Sequence, residues 1–149
     1  MAYIDAVQTN RGPMLFYNLD QAVGPGAPNS RLDVLAVQYF LREIFKASPS
    51  HKPPGQLQVT GVADATTFQW ILHFQQETKK GGRQIATDGR VDKALGLKGS
   101  ISGLQYTILY MNLNLRKARP ADYEKLAAAS DCPPELVPHF TVQWLRSTE

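Results

Sequence analysis

One stretch near the middle of the chain, residues 61–75, constrains the fold more than any other part of the sequence. Gly61 opens it, and Asp64 can cap a helix because its short side-chain oxygen accepts an otherwise unpaired backbone N–H. The apolar residues that follow recur at helical spacing; at about 100° per residue they cover roughly 200° of the helix surface. They are Thr67, Phe68, Trp70, Ile71, Leu72 and Phe74. Since an ordinary surface helix has a narrower apolar face, we predict a central helix that contacts partners on two sides.

Composition favours a single folded unit of ordinary type. Of the 149 residues, 43% are hydrophobic and 19% are charged, values typical of a globular core rather than of disorder. The net charge of +3 allows weak attraction to an anionic polymer. The basic cluster of Lys79, Lys80 and Arg83 has no interleaved aromatic residues, so we predict no nucleic-acid partner. With one cysteine, Cys132, the chain cannot form an internal disulfide or a cysteine-based zinc site.

The sequence predicts neither a membrane span nor a secretory signal. The first residues, Met-Ala-Tyr-Ile-Asp-Ala-Val-Gln, lack a basic segment followed by an apolar one. No apolar run approaches the roughly 18 residues that a spanning helix requires. The localisation stays open. We expect cytoplasmic synthesis, with delivery by a route other than Sec if the protein acts in the periplasm or at the cell wall.

The residues before the central stretch predict an arm followed by a first helix. Residues 1–28 form the arm, whose short apolar runs allow either irregular or β structure, and the breaker-rich segment 24–29 ends it. Asn29 or Ser30 then caps a helix with one apolar face. This face consists of Val34, Val37, Phe40, Leu41, Ile44 and Phe45. A loop with three prolines, 48–55, separates this helix from the central one.

The turn before the central helix is repeated further along the chain. Residues 60–64, Thr-Gly-Val-Ala-Asp, match residues 88–92, Asp-Gly-Arg-Val-Asp, with glycine three residues before an aspartate in each. We predict that the second turn starts a third, shorter helix over residues 93–95, closed by Gly96 and Gly99. Two short copies are too few for a solenoid, so the pattern indicates a pseudo-repeat within one domain.

Together these motifs resemble the peptidoglycan-binding-domain-like family. The pattern Gly-x-x-Asp-x-x-Thr leading to Phe-Gln occurs at Gly61, Asp64, Thr67 and Phe74-Gln75. The turn at 88–92 is similar to the one before the family's third helix, and Val23–Asn29, Asp33-Val34 and Val37-Gln38 are similar to its opening. The resemblance implies an all-α, three-helix core over residues 29–97. The chain departs from the family pattern in its longer, proline-rich loop and at Thr60, where aspartate is usual.

Residues 98–149 lie outside the family's minimal module and predict a helical C-terminal extension that forms one compact unit with the core. Its main apolar stripe has helical spacing and consists of Ile101, Leu104, Ile108, Met111 and Leu115. The alternation of apolar residues over 109–115 would instead suit a strand, but the stripe with helical spacing is longer and therefore favours a helix. Asn112 lies beside the stripe as a candidate buried polar group. Two further helices are predicted, over Asp122–Ala129 and from Pro133 to Trp144 and Leu145.

The sequence contains no recognisable catalytic or metal-binding constellation. His51, His73 and His139 are too scattered for metal-ligand spacing. Glu77 and Asp88 could be proposed as a glycosidase pair, but Glu77 lies on a polar helix face and Asp88 is explained by its turn. We therefore predict a protein that is not an enzyme and that uses no cofactor or metal.

The resemblance implies non-catalytic recognition of bacterial peptidoglycan, which would tether a protein or complex to the cell wall. Cations and amide side chains suit the carboxylates and amides of that polymer. The candidate ligand-binding residues are Gln69, His73 and Gln76 on the central helix and Arg83 and Arg90 beside the second turn. These residues could equally be ordinary solvated side chains, as His73 on the polar side suggests. The alternative function is an adaptor that binds a protein partner in a secretion-system or phage-tail-like assembly.

Overall fold

The computed structural model describes residues 3–9, 12–95, 104–140 and 142–145, and this part of the chain is mostly helical. Its α-helices are α1 (Arg31–Ala47), α2 (Ala65–Lys80) and α3 (Thr107–Ala118). Short 3₁₀ segments span Pro49–His51, Tyr123–Ala128 and Pro134–His139, and the strands are β1 (Tyr3–Thr9), β2 (Gly12–Asn18) and β3 (Val142–Leu145). Within the described ranges, no helix is long and apolar enough to cross a membrane.

The N-terminal arm adopts the β alternative. β1 pairs with β2 antiparallel and with β3 in parallel, which gives the strand order β2-β1-β3. The all-α prediction therefore holds for the helical body, while the two ends of the chain add a small sheet. The predicted last helix is wrong, since Pro134–His139 is a 3₁₀ segment and Trp144 lies in β3. Pro138 inside that segment lacks the N–H that a longer helix would need.

The first helix and the central helix form where predicted, although Ser30 at the N-cap of α1 makes no side-chain capping hydrogen bond. The predicted apolar face of α1 is buried along its whole length. Asp64 caps α2, since its Oδ1 accepts a hydrogen bond from the Thr67 backbone N–H at 2.8 Å. The rings of Phe45 on α1 and Trp70 on α2 meet edge to face with 5.7 Å between their centroids.

The buried face of α2 has partners on two sides, which confirms the inference from its wide apolar arc. Thr67 at one side receives a hydrogen bond from Gln38 of α1, and Gln75 at the other donates one to Thr107 of α3, both at 3.0 Å. The fully buried positions of α2 are Thr67, Trp70, Ile71, Phe74 and Gln75. Phe68 and Leu72 lie at the margin of this face and are half-buried.

The predicted short helix over residues 93–95 is absent, and the predicted closing residues Gly96 and Gly99 lie outside the described residues. The side chain of Asn18 occupies the backbone hydrogen-bonding groups that a helix would use. Its Nδ2 donates to the Ala94 carbonyl at 2.9 Å, and its Oδ1 accepts from the Ala94 N–H at 3.0 Å. Asn18 is buried, so this pairing holds Ala94 beside the end of β2 in place of a helix.

The helix predicted in the C-terminal extension is present but starts late, at Thr107. Ile101 lies outside the described residues, and Leu104 precedes the helix. Ile108, Met111 and Leu115 are fully buried on one face, which favours the helical over the strand alternative. Asn112 is the predicted buried polar group, and it bonds both backbone groups of Tyr17 at 2.8 and 2.9 Å.

The helix predicted over Asp122–Ala129 is instead a 3₁₀ segment, broken at Lys125 by a non-helical backbone with φ −144°. Arg119 ties this region to the core. Its Nη1 donates to the Tyr39 hydroxyl and to the Asp131 carboxylate at 2.9 Å, while Tyr39 donates to Asp131 at the same distance. The extension therefore packs on Tyr39 of α1.

Candidate functional site

Two buried glutamines hold the two glycine turns in the same way. Gln38 of α1 accepts hydrogen bonds from the Gly61 and Thr60 N–H groups at 2.9 and 2.8 Å. Its Nε2 donates to the Val62 carbonyl and to the Thr67 hydroxyl, both at 3.0 Å. Gln38 is fully buried, and its amide therefore satisfies polar groups that would otherwise lack partners.

Gln75 of α2 repeats this geometry at the second turn. Its Oε1 accepts from the Gly89 N–H at 2.8 Å, and its Nε2 donates to the Arg90 carbonyl at 2.8 Å and to the Thr107 hydroxyl at 3.0 Å. Gly61 and Gly89 have φ values of +82° and +75°, the left-handed region that favours glycine. The residues that carry the family resemblance thus build turns and a helix cap, and their side chains are engaged within the fold.

The candidate ligand residues on α2 lie on its exposed side. Gln69 and Gln76 are exposed, whereas His73 is half-buried between them. The Nε2 of His73 donates to the His51 carbonyl at 2.6 Å, and its ring lies 5.7 Å from that of Phe45. His73 is therefore partly open to solvent and is held by the loop after α1 through this hydrogen bond.

Arg83 and Arg90 lie in separate cavities, so the structure does not bring the five candidate residues into one site. Arg90 lines a cavity of about 440 Å³ together with acidic residues. Its Nη2 lies 3.5 Å from Asp92 Oδ1, and its backbone N–H donates to Asp88 at 3.0 Å. Because a carboxylate already compensates the charge of Arg90, this cavity offers a weak site for an anion.

Arg83 lies in a cleft between the C-terminal parts of the three α-helices, with a volume of about 370 Å³; we call it the helix-end cleft. Its polar and charged lining consists of Ser48, His51, Glu77, Thr78, Arg83, Asn114 and Lys117. Its apolar lining consists of Ile44, Phe45, Phe74, Tyr110 and Leu113, with Gly81 at the edge. Each of the three α-helices contributes to this cleft, so their packing sets its shape.

The charges of the helix-end cleft are unevenly compensated. Glu77 pairs with Lys80 and with His51, each at 3.1 Å. The hydrogen bond from Lys80, followed by that from His51, lowers the pKa of the Glu77 carboxyl. By contrast, neither Arg83 nor Lys117 forms an ion pair with a carboxylate of the described residues. The cleft thus holds two cations whose charge no described carboxylate offsets.

Tyr110 positions Arg83. The guanidinium carbon lies 5.5 Å from the ring centroid, a cation–π distance, and the Tyr110 hydroxyl donates to Gln105. Asn114 and Lys117 follow Tyr110 by four and seven residues, which places them on the same side of α3. The sequence analysis missed these three residues. The sequence did contain a signal for them, a series of polar residues beside the apolar stripe of α3. The favourable interaction of cations with the C-terminal end of a helix also explains such a series.

Among the described residues, neither Cys132 nor the metal-ligating side chains form a further site. Cys132 is buried, and burial raises the pKa of its thiol to about 11, so the reactive thiolate is scarce at neutral pH. In the described part of the chain, no group of three or more His, Cys, Asp or Glu side chains could hold a metal ion.

Comparisons with models of protein families, with curated proteins and with solved structures found no match to this chain.

Proposed function

We propose that the protein is a non-catalytic module that recognises bacterial peptidoglycan and tethers a partner to the cell wall, with the helix-end cleft as its ligand site. The resemblance of the glycine turns to wall-binding modules suggests the ligand. The observation that carries the proposal is the pair of uncompensated cations, Arg83 and Lys117, on different walls of one cleft.

The chemistry of the cleft suits this polymer. The stem peptides of peptidoglycan carry carboxylates and amides, which guanidinium and ammonium groups bind by charge-assisted hydrogen bonds. The amide of Asn114 donates to the Tyr110 carbonyl at 2.8 Å, and its Oδ1 is available to a peptide N–H. The volume of about 370 Å³ falls within the range of small-ligand sites, roughly 300–1,000 Å³.

The first experiment is co-sedimentation with insoluble peptidoglycan at low salt. We expect wild-type protein in the pellet and a clear loss for Arg83→Ala, which removes a cleft cation. Gln69→Ala serves as the matched control, because Gln69 is exposed on α2 and does not line the cleft. Wild-type protein that stays in the supernatant would refute wall recognition.

An adaptor that binds a protein partner is the second candidate, favoured by apolar side chains outside the cleft. Val62 and Val137 are 61% and 42% exposed. Each lies two residues from a contact of Arg31, which donates to the Thr60 carbonyl at 3.0 Å and pairs with Glu135 at 2.7 Å. The proposal predicts a stable complex on purification from the native host, weakened by Val62→Asp. Recovery of the monomer alone would count against it.

A further inference from the structure

We propose that the helix-end cleft binds a free carboxylate of a short peptide, held between Arg83 and Lys117, and does not bind the sugar chain. The inference rests on the proposed function and specifies which part of the polymer the cleft recognises. Three observations carry it: the charge of the cleft, the covered faces of its aromatic rings, and its apolar floor.

The charge of the cleft favours a single negative charge. Glu77 pairs with Lys80 and His51, each 3.1 Å from one of its oxygens. The C-terminal ends of all three α-helices reach the cleft, at Ser48, Gly81 and Lys117, and bring roughly half a negative charge each. Two full positive charges on Arg83 and Lys117 exceed that contribution by less than one unit. A carboxylate also accepts two parallel hydrogen bonds from a guanidinium, whereas a neutral amide or hydroxyl cannot.

The aromatic residues of the cleft offer no open face to a sugar ring. Tyr110 is 6% exposed, and the Arg83 guanidinium lies over its ring. Phe45 and Phe74 are each 3% exposed and pack edge to face against each other, with 6.3 Å between their centroids. These rings therefore form the floor of the cleft and position its cation. They do not form a stacking platform for sugar.

The apolar floor suits the aliphatic parts of a peptide. Ile44 and Leu113 line the cleft beside the buried phenylalanines, and the cations lie at its α2 and α3 sides. A peptide can place a methyl or methylene group on the floor while its carboxylate contacts the cations. In the intact polymer each lactyl carboxyl of the glycan strand is amide-linked to a stem peptide, so the strand itself would leave the cations without a charged partner.

The test is a solution binding measurement by calorimetry with three soluble probes. These are a synthetic stem tetrapeptide with free carboxylates, the same peptide with all carboxylates amidated, and a neutral N-acetylglucosamine oligomer that carries no carboxylate. We expect the free peptide to bind and amidation to weaken binding about tenfold or more, the loss of one charge-assisted contact. The neutral sugar oligomer should give no measurable heat.

Arg83→Ala and Lys117→Ala should each weaken binding of the free peptide about tenfold, with an unchanged melting temperature. Lys79→Ala is the matched control, since Lys79 is an exposed cation in the last turn of α2 that does not line the cleft. An equal loss with Lys79→Ala would show attraction by net charge and would overturn the inference.

The same probes separate this inference from the proposed function. If the protein sediments with peptidoglycan but binds the neutral sugar oligomer, or the amidated peptide as well as the free one, the cleft inference is wrong and wall recognition stands. If the protein binds the free peptide but does not sediment with intact peptidoglycan, wall recognition is wrong and the carboxylate site stands.

Discussion

The two glycine turns are built alike but lead to different structures. In the first, Gln38 bonds Gly61, Val62 and Thr67, and α2 begins at Ala65. In the second, Gln75 bonds Gly89, Arg90 and Thr107, and the chain does not become helical until α3 begins at Thr107. The buried amide makes three equivalent contacts in each turn, and the fourth differs: Gln38 accepts from the Thr60 N–H, whereas Gln75 donates to Asp88. The distance along the chain to the next helix also differs.

This difference explains where the third helix lies. Thr67 follows Gly61 by six residues, whereas Thr107, its counterpart in the contacts of the glutamine, follows Gly89 by eighteen. α3 thus occupies the position that the pseudo-repeat assigns to the helix after the second turn, with additional chain in between. The glutamine contacts define the repeat, and the aspartate cap is the part that varies.

Removal of either glutamine tests whether the two turns are equivalent, and should have the largest effect. Gln38→Ala and Gln75→Ala each leave several buried polar groups unpaired, at about 1–3 kcal/mol per group. We expect each variant to lower the free energy of unfolding by about 3–5 kcal/mol, measured by urea denaturation, with the two values within about 1 kcal/mol of each other.

Gln76→Ala is the control, since Gln76 is the exposed neighbour of Gln75 and should change stability by less than about 0.5 kcal/mol. A cost for Gln75→Ala that is as small as the control's would contradict the equivalence. It would mean that the second turn keeps its shape without the amide.

Substitutions of the two turn glycines should lower stability less than the glutamine substitutions do, and by different amounts in the two turns. Gly89→Ala forces an alanine into the left-handed region with ordinary contacts around its Cβ, the nearest being Pro25 Cδ at 3.7 Å, so we expect a loss of about 1–2 kcal/mol. Gly61→Ala adds a close approach to Arg31, whose Cγ would lie 2.9 Å from the new Cβ. Thermal unfolding should therefore give Gly61→Ala a lower melting temperature than Gly89→Ala. The reverse order would show that the close approach to Arg31 does not destabilise the first turn.

The aspartates of the two turns should differ in their contribution to stability, although both effects are small. Asp64→Ala removes the cap of α2 and should cost about 0.5–2 kcal/mol. Asp92 precedes no helix, so Asp92→Ala should lower the free energy of unfolding by less than about 0.5 kcal/mol. Chemical denaturation of the two variants at neutral pH measures both values, and equal costs would show that capping does not distinguish the turns.

The cap also gives the first turn its own pH dependence. Hydrogen bonds from the Thr67 N–H and hydroxyl lower the pKa of Asp64 in the folded protein. The stabilisation from its carboxylate is therefore complete above the unfolded pKa of about 3.9 and is lost as the pH falls through the lower folded value. The difference in stability between wild type and Asp64→Ala should therefore shrink as the pH falls over that range.

The local elements could be predicted from the sequence where helical spacing and capping agreed. α1 and α2 have long apolar faces and clear start signals, and both formed as predicted. The helix over 93–95 failed because the side chain of Asn18, far away in sequence, occupies the backbone groups of Ala94. The last helix failed because β1, at the other end of the chain, pairs with residues 142–145. Such long-range pairing leaves no periodic signal in the local sequence.

The candidate site was harder to predict for a related reason. Arg83 was identified, but the residues that complete its cleft belong to α3, and no local motif places Tyr110 or Lys117 beside it. Gln69 and Gln76 are polar, as Arg83 is, yet they line neither the helix-end cleft nor the cavity at Arg90. Only the packing of the three helices decides which polar residues face the same space.

The equivalence of the two turns is tested most directly by amide hydrogen exchange, followed by NMR at Gly61 and Gly89. In wild-type protein both amides should be protected, because each donates to a buried glutamine oxygen at 2.9 and 2.8 Å. In Gln75→Ala, Gly89 should lose its protection while Gly61 keeps it under native conditions, and Gln38→Ala should give the opposite pattern. Protection of Gly89 that survives the loss of Gln75 would contradict the account.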